Sequence, residues 1–109
     1  MAVGSFVDYA KNVDAAWKGS AAMAAAEFLR LDGRTAARTT IVGRASAEGG
    51  GPETVTVTLD GLPDDSVRAE RWMLSFVPEG ETYRLTEARR AQRCRPGRGH
   101  TAFSAEPCV

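Results

Sequence analysis

Cys94, His100 and Cys108 are soft or borderline donor side chains, and all three fall in one stretch, RCRPGRGHTAFSAEPC, residues 93–108. Residues of these types can bind a metal, act as nucleophile and base, cradle an anion or cross-link the chain. Spacing weighs against the first. Structural zinc sites set ligands in pairs about two to four residues apart, so that one turn presents both. Here five residues separate Cys94 from His100 and seven separate His100 from Cys108, so even with Glu106 as a fourth donor no metal is expected. A catalytic cysteine needs a base that is itself oriented by a third group. His100 is the only histidine. It stands between Gly99 and Thr101 with no orienting motif, and no catalytic residue is assigned.

The same stretch suits an anion better. Gly97 and Gly99 bare backbone N–H groups, and Arg95, Arg98 and His100 stand beside them, the ingredients of a small nest for phosphate or carboxylate. It has neither the lysine nor the strand-loop-helix setting of a P-loop. The favoured reading is a staple. A Cys94–Cys108 disulfide pins a tail that has no regular structure of its own and adds roughly 3 kcal/mol by restricting the unfolded chain. A disulfide implies an oxidising compartment; a reduced pair in the cytoplasm is the alternative.

The elements before the tail must carry it. Phe6, Ala10, Val13, Trp17, Ala21, Ala24, Phe28 and Leu31 recur every three or four residues, the period of a helix with one apolar stripe. Gly19 and Ser20 interrupt it, which predicts helices over 4–17 and 20–31, kinked or split near Gly19, with a stop at Gly33. The period then becomes two. ARTTIVGRAS and ETVTVTLDG read as strands, with AEGGGPE connecting them. SVRAERWMLSFV sets Trp72, Leu74 and Phe76 on one face and Arg71, Met73 and Ser75 on the other. ETYRLTEARRAQRC is the last strand, with Tyr83 and Leu85 inward.

The order predicts one α+β domain over 1–109. Residues 1–33 are helical, 35–94 form a four-stranded antiparallel sheet under the helix, and 95–109 are an irregular tail. The expected core is Phe6, Val13, Trp17, Phe28, Leu31, Val55, Val57, Leu59, Trp72, Leu74, Phe76 and Leu85. The sheet face away from the helix, with Thr54, Thr56, Thr58, Arg68, Glu70 or their neighbours, is polar and solvated; it is also a candidate partner or homodimer surface.

Charge narrows the partners. Fourteen basic and fourteen acidic residues cancel, which argues against a general polyanion binder and against specific nucleic-acid binding. The distribution is uneven. Arg84, Arg89, Arg90, Arg93, Arg95 and Arg98 face only Glu87 between residues 84 and 100, while Asp60, Asp64 and Asp65 gather earlier. Some of these arginines are expected to pair with those acids or with Glu70 and Glu87, leaving Arg95, Arg98 and His100 exposed. No stretch is apolar for long enough to span a membrane, and MAVGSFVDYAKN lacks the n- and h-regions of an export signal. No cofactor is expected.

GLPDDSVRAERWMLSF, YRLTEARRAQRC and RPGRGHTAFSAEPC together resemble the ends of small exported bacterial proteins of uncharacterised function. The likeness runs from about Ala25 to Cys108, and its most specific part is Cys94, Gly97, Arg98, Gly99, His100, Phe103 and Cys108. It implies an extracytoplasmic domain, secreted or envelope-anchored, with a Cys94–Cys108 bridge; cytoplasmic residence is the alternative. The order of elements is also similar to cystatin-like and nuclear transport factor 2-like folds, at the level of fold alone. Two functions follow as expectations. One is a non-enzymatic domain that binds a protein or envelope component. The other is a small enzyme or ligand carrier with a pocket between helix and sheet, for which Glu27, Tyr83 and Trp72 are the residues to inspect.

Overall fold

In the computed structural model of the chain, which describes residues 2–45 and 51–109, two short helices precede four strands. Helix α1 spans Val3–Lys11 and α2 spans Ala21–Leu29, with 3-10 turns at Ala16–Gly19 and Leu31–Gly33. The strands are β1 (Arg38–Ala45), β2 (Glu53–Asp60), β3 (Val67–Glu79) and β4 (Thr82–Cys94). All neighbours are antiparallel and the sheet order is β1-β2-β3-β4. The fold is α+β, two helices packed on a four-stranded antiparallel sheet, as the change of period from 3.6 to two predicts. Residues 46–50, which include most of the connection AEGGGPE, lie outside the described residues. No helix among the described residues is long and apolar enough to cross a membrane.

The first helix ends six residues before the expected boundary. Asn12, Val13 and Asp14 follow Lys11, a β-branched residue between two side chains that compete for backbone hydrogen bonds. Asn12 turns its amide to the Asp8 carbonyl at 2.8 Å, and Lys18 Nζ donates to the freed carbonyl of Val13 at 3.0 Å. The break therefore lies at residues 12–15, not at Gly19. Ser20 is the N-cap of α2, its hydroxyl accepting from the Met23 N–H at 3.2 Å. The stop is not Gly33. Arg30 takes the left-handed conformation at φ 54°, and its N–H reaches back to Ala26 and Glu27.

Helix α2 offers Ala21, Ala24, Ala25, Phe28 and Leu29 to the sheet, all buried; the alanines let its backbone approach β2 closely. Phe6 on α1 meets the Phe28 ring edge-on at 5.3 Å, a favoured arrangement for aromatic quadrupoles. Below them Val55, Val57, Leu74, Phe76 and Leu85 are buried to 2% exposure or less. Eight of the twelve expected core residues, with Leu59, are buried. Val13, Trp17, Leu31 and Trp72 are only half-buried. Trp17 sits on a 3-10 turn instead of a helix stripe, and stacks on Tyr9 at 6.1 Å along the rim of the core.

One polar group enters this interior. Glu70 belongs to the helix-side face, opposite to its expected place among the solvated threonines, and is 7% exposed. It accepts from Trp72 Nε1 at 2.9 Å and Arg34 at 2.9 Å, and Arg90 lies 3.4 Å away. Burial pushes its carboxyl up, but the Trp72 and Arg90 hydrogen bonds and the two guanidinium charges outweigh that and hold it below its ordinary value. Glu70 thus ties the segment after α2 to β3 and β4.

Candidate functional site

The tail leaves β4 at Cys94 and folds back along its outer edge. Gln92 and Ser104 exchange backbone hydrogen bonds of 2.8 and 3.0 Å as an isolated antiparallel bridge. Cys94 and Cys108 are joined in a disulfide with their Cα atoms 5.5 Å apart, a normal span for the bond. The staple is present, and it closes a loop of sequence separation 14.

Gly99 fits the inside of that loop. It has φ 134°, and a Cβ there would stand 3.0 Å from Cys94 Sγ. Any side chain would press on the bridge and strain the backbone together. Gly97 turns the chain at φ 80° in open space.

The three cationic side chains of the expected anion nest point to separate carbonyls. Arg95 reaches away from the tail, its guanidinium donating to Leu62 O at 2.7 Å and Asp64 O at 3.2 Å. Arg98 lies on the Val109 carbonyl at 3.4 Å. His100 has Nδ1 2.7 Å from Ala102 O and Nε2 2.8 Å from Glu106 O. Arg95 is half-buried instead of exposed, so the arginine that the sequence leaves free is part of the seam between tail and sheet. Sulfur and imidazole of Cys94, His100 and Cys108 gather within 4.8 Å of one another, but two sulfurs bonded to each other are not the thiolates that metals take.

The two carbonyls facing His100 favour its protonated form, because a neutral imidazole donates one hydrogen bond and an imidazolium two. The Glu106 and Ala102 carbonyls accordingly raise its pKa above the ordinary 6.5. The sign follows by linkage. A raised folded value means that the contribution to the tail's stability is complete below pH 6.5 and is lost as pH rises through the folded value. A titration of the His100 ring followed by NMR should give a midpoint above 6.5; a midpoint at or below that value would show that the two carbonyls are not engaged at once.

The acids resolve the charge imbalance only in part. Arg89 pairs with Glu87, Arg90 with Glu70 at 3.4 Å, and Arg84 with Glu79 at 2.6 Å. Asp64 is taken up locally. It caps the turn into β3 by accepting the N–H groups of Val67 and Ser66, which hold its carboxyl below its ordinary value.

Register assembles what no single stretch displays. Four rows cross the sheet on the side away from the helices: Arg38, Asp60, Ala69, Arg93; Thr40, Thr58, Arg71, Ala91; Val42, Thr56, Met73, Arg89; Arg44, Thr54, Ser75, Glu87. These four rows hold five arginines and two acids. Val42 and Met73 are among its exposed apolar residues, at 53% and 49% exposure. The tail reaches one corner, where Phe103 lies under the guanidinium of Arg71 at 4.1 Å and beside that of Arg93 at 5.7 Å, within range of cation–π attraction. Arg93 Nε, buried there, has no hydrogen-bond partner among the described residues.

The helix side offers much less room. The hollow between α1 and β4, lined by Phe6, Ala10, Lys11, Tyr83 and Leu85 among others, holds about 70 Å³. Glu27 accepts a long bond from Tyr9 at 3.5 Å, and Trp72 is bonded to Glu70. The chain matches no protein-family model, no curated protein and no solved structure.

Proposed function

We propose that this protein is a non-enzymatic, extracytoplasmic interaction domain that holds an anionic partner, a protein or envelope component, against the open face of its sheet. The observation that carries the reading is the excess of five arginines over two acids in the four rows that cross one face of a chain whose charges cancel overall. Segregated charge of this kind steers and orients an oppositely charged partner. The disulfide supports an oxidising compartment, and the likeness of the tail to exported bacterial proteins points the same way.

The pocket reading has less behind it, since a hollow of about 70 Å³ is far below the roughly 300 Å³ of small-ligand sites. A homodimer made face to face would set one arginine array against another, so the partner is a different molecule.

Retention on immobilised poly-L-glutamate tests this. The wild type should be held at low ionic strength and released as salt approaches about 0.15 M. Arg71→Gln with Arg89→Gln should pass through unretained while melting near the wild-type temperature. An unretained wild type, or a double variant held equally well, refutes the assignment of the face.

A further inference from the structure

The two edges of the sheet are treated differently. The chain's own tail covers β4 through the Gln92–Ser104 bridge, and α1 packs against the same strand. Strand β1 is the opposite edge, and no strand pairs with its outer side among the described residues. All eight of its residues are exposed. Proteins blunt such edges with prolines, bulges, short length, charged side chains or a covering element. Here the pairing of β1 with β2 runs unbroken from Arg38 to Ala45 and contains no proline. The edge is unbroken and exposed, and its only charges are Arg38 and Arg44.

We propose that this edge receives an extended acidic segment of another polypeptide, which adds to the sheet as a fifth strand. This rests on the reading of the open face as a docking surface and specifies how the partner lies on it. An added strand takes its hydrogen bonds from the unpaired backbone groups of β1 and its selectivity from side chains in alternate positions. Arg38 and Arg44 stand on the open face of β1 six residues apart, and neither has an acidic partner among the described residues. Between them Thr40 and Val42 line that face and Ile41 the other, with Val42 and Ile41 53% and 41% exposed. The matching strand has acids six apart on one side, small or hydroxyl residues between them, and β-branched residues on the other side. A groove lined by Arg38, Thr40, Val42, Asp60, Arg71 and Met73 among others continues inward from the edge, with two arginines against the one acid.

A second copy fits less well. The antiparallel register that keeps both helix layers on one side and overlaps residues 38–44 sets Arg38 of each chain against Arg44 of the other, and like charges directly opposed are destabilising.

The probe is the heptapeptide Ac-EVTVTVE-NH2, followed by amide shifts of the labelled full chain at low salt. It should bind saturably, with the largest shifts in residues 38–45. Arg38→Gln with Arg44→Gln, both exposed and remote from the core, should weaken binding about tenfold with little change in the melting temperature, while KVTVTVK should not bind. Methylating alternate peptide amides in either phase separates pairing from charge. One phase, aimed at β1, should abolish binding and the other should leave it. Equal binding by both methylated forms, with shifts at Arg71, Met73 and Arg89 instead, overturns strand addition and leaves the docking face standing. No binding of the heptapeptide by a chain that poly-L-glutamate retains also overturns it, and a concentration-dependent dimer with protected β1 amides assigns the edge to a second copy.

Discussion

Replacing Phe76 by alanine should cost about 3–5 kcal/mol, the range for removing a large aromatic from a close-packed core. Phe76 is the largest of the fully buried side chains, at 0% exposure. It sits opposite Glu53 on β2 and Leu85 on β4, at the irregularity in the β3–β4 register between Ser75 and Phe76. A cavity there cannot be filled by a swing of the helices, because the alanines of α2 have no reach. Chemical denaturation should show a lower midpoint with an unchanged slope. A loss below about 1 kcal/mol would mean that the site collapses around the smaller residue. Trp17→Ala should cost less than Phe76→Ala despite the larger ring, since Trp17 is half-buried on a turn at the rim.

Cys94→Ser should remove about 2–5 kcal/mol, as loss of a native bridge commonly does in small domains. The loop that the bridge closes is short, which places the entropic part near 3 kcal/mol. Cys94 is also 2% exposed, so the serine hydroxyl must be buried at that site as well. Cys108→Ser, at a half-buried position, should be the milder of the two, and the difference isolates the burial from the cross-link. Alkylation without reductant should leave both cysteines unmodified in the wild type. Modification of both would show that the bridge does not form, and an unchanged melting temperature in both serine variants would show that it adds nothing.

The strands were legible because Val55, Val57 and Leu59 alternate with threonines, a pattern no helix would bury. The end of α1 was less so. The apolar stripe continues through Val13 and Trp17, and only the local competition at Asn12 and Asp14 signals the break. Glu70 was misplaced for a related reason. A glutamate beside two arginines reads as surface, and its partners Arg34, Trp72 and Arg90 come from three separate elements.

In the tail the cross-link was readable from two cysteines. Which carbonyls Arg95 would reach was not, because Leu62 and Asp64 are about thirty positions away in sequence. The arginine array of the open face depends on register between strands, a property of the assembled sheet. Its clue in the sequence is parity: Arg38 and Arg44 share it, as do Arg71 and Met73, and Arg89 and Arg93.

The sheet order repeats the chain order, so every strand's neighbour in space is its neighbour in sequence. Closing each hairpin therefore spans a short loop and loses little chain entropy. The tail is equally local, folding back on the strand that it has just left. Helix α1 and the 3-10 turn after it are the exception, because they pack against β4 at the far end of the sequence. Assembly can thus run as a zipper through three successive hairpins, each closed between neighbours in sequence. The one slow search is the return of the first helix to the last strand, and that step seals Phe6 over the core.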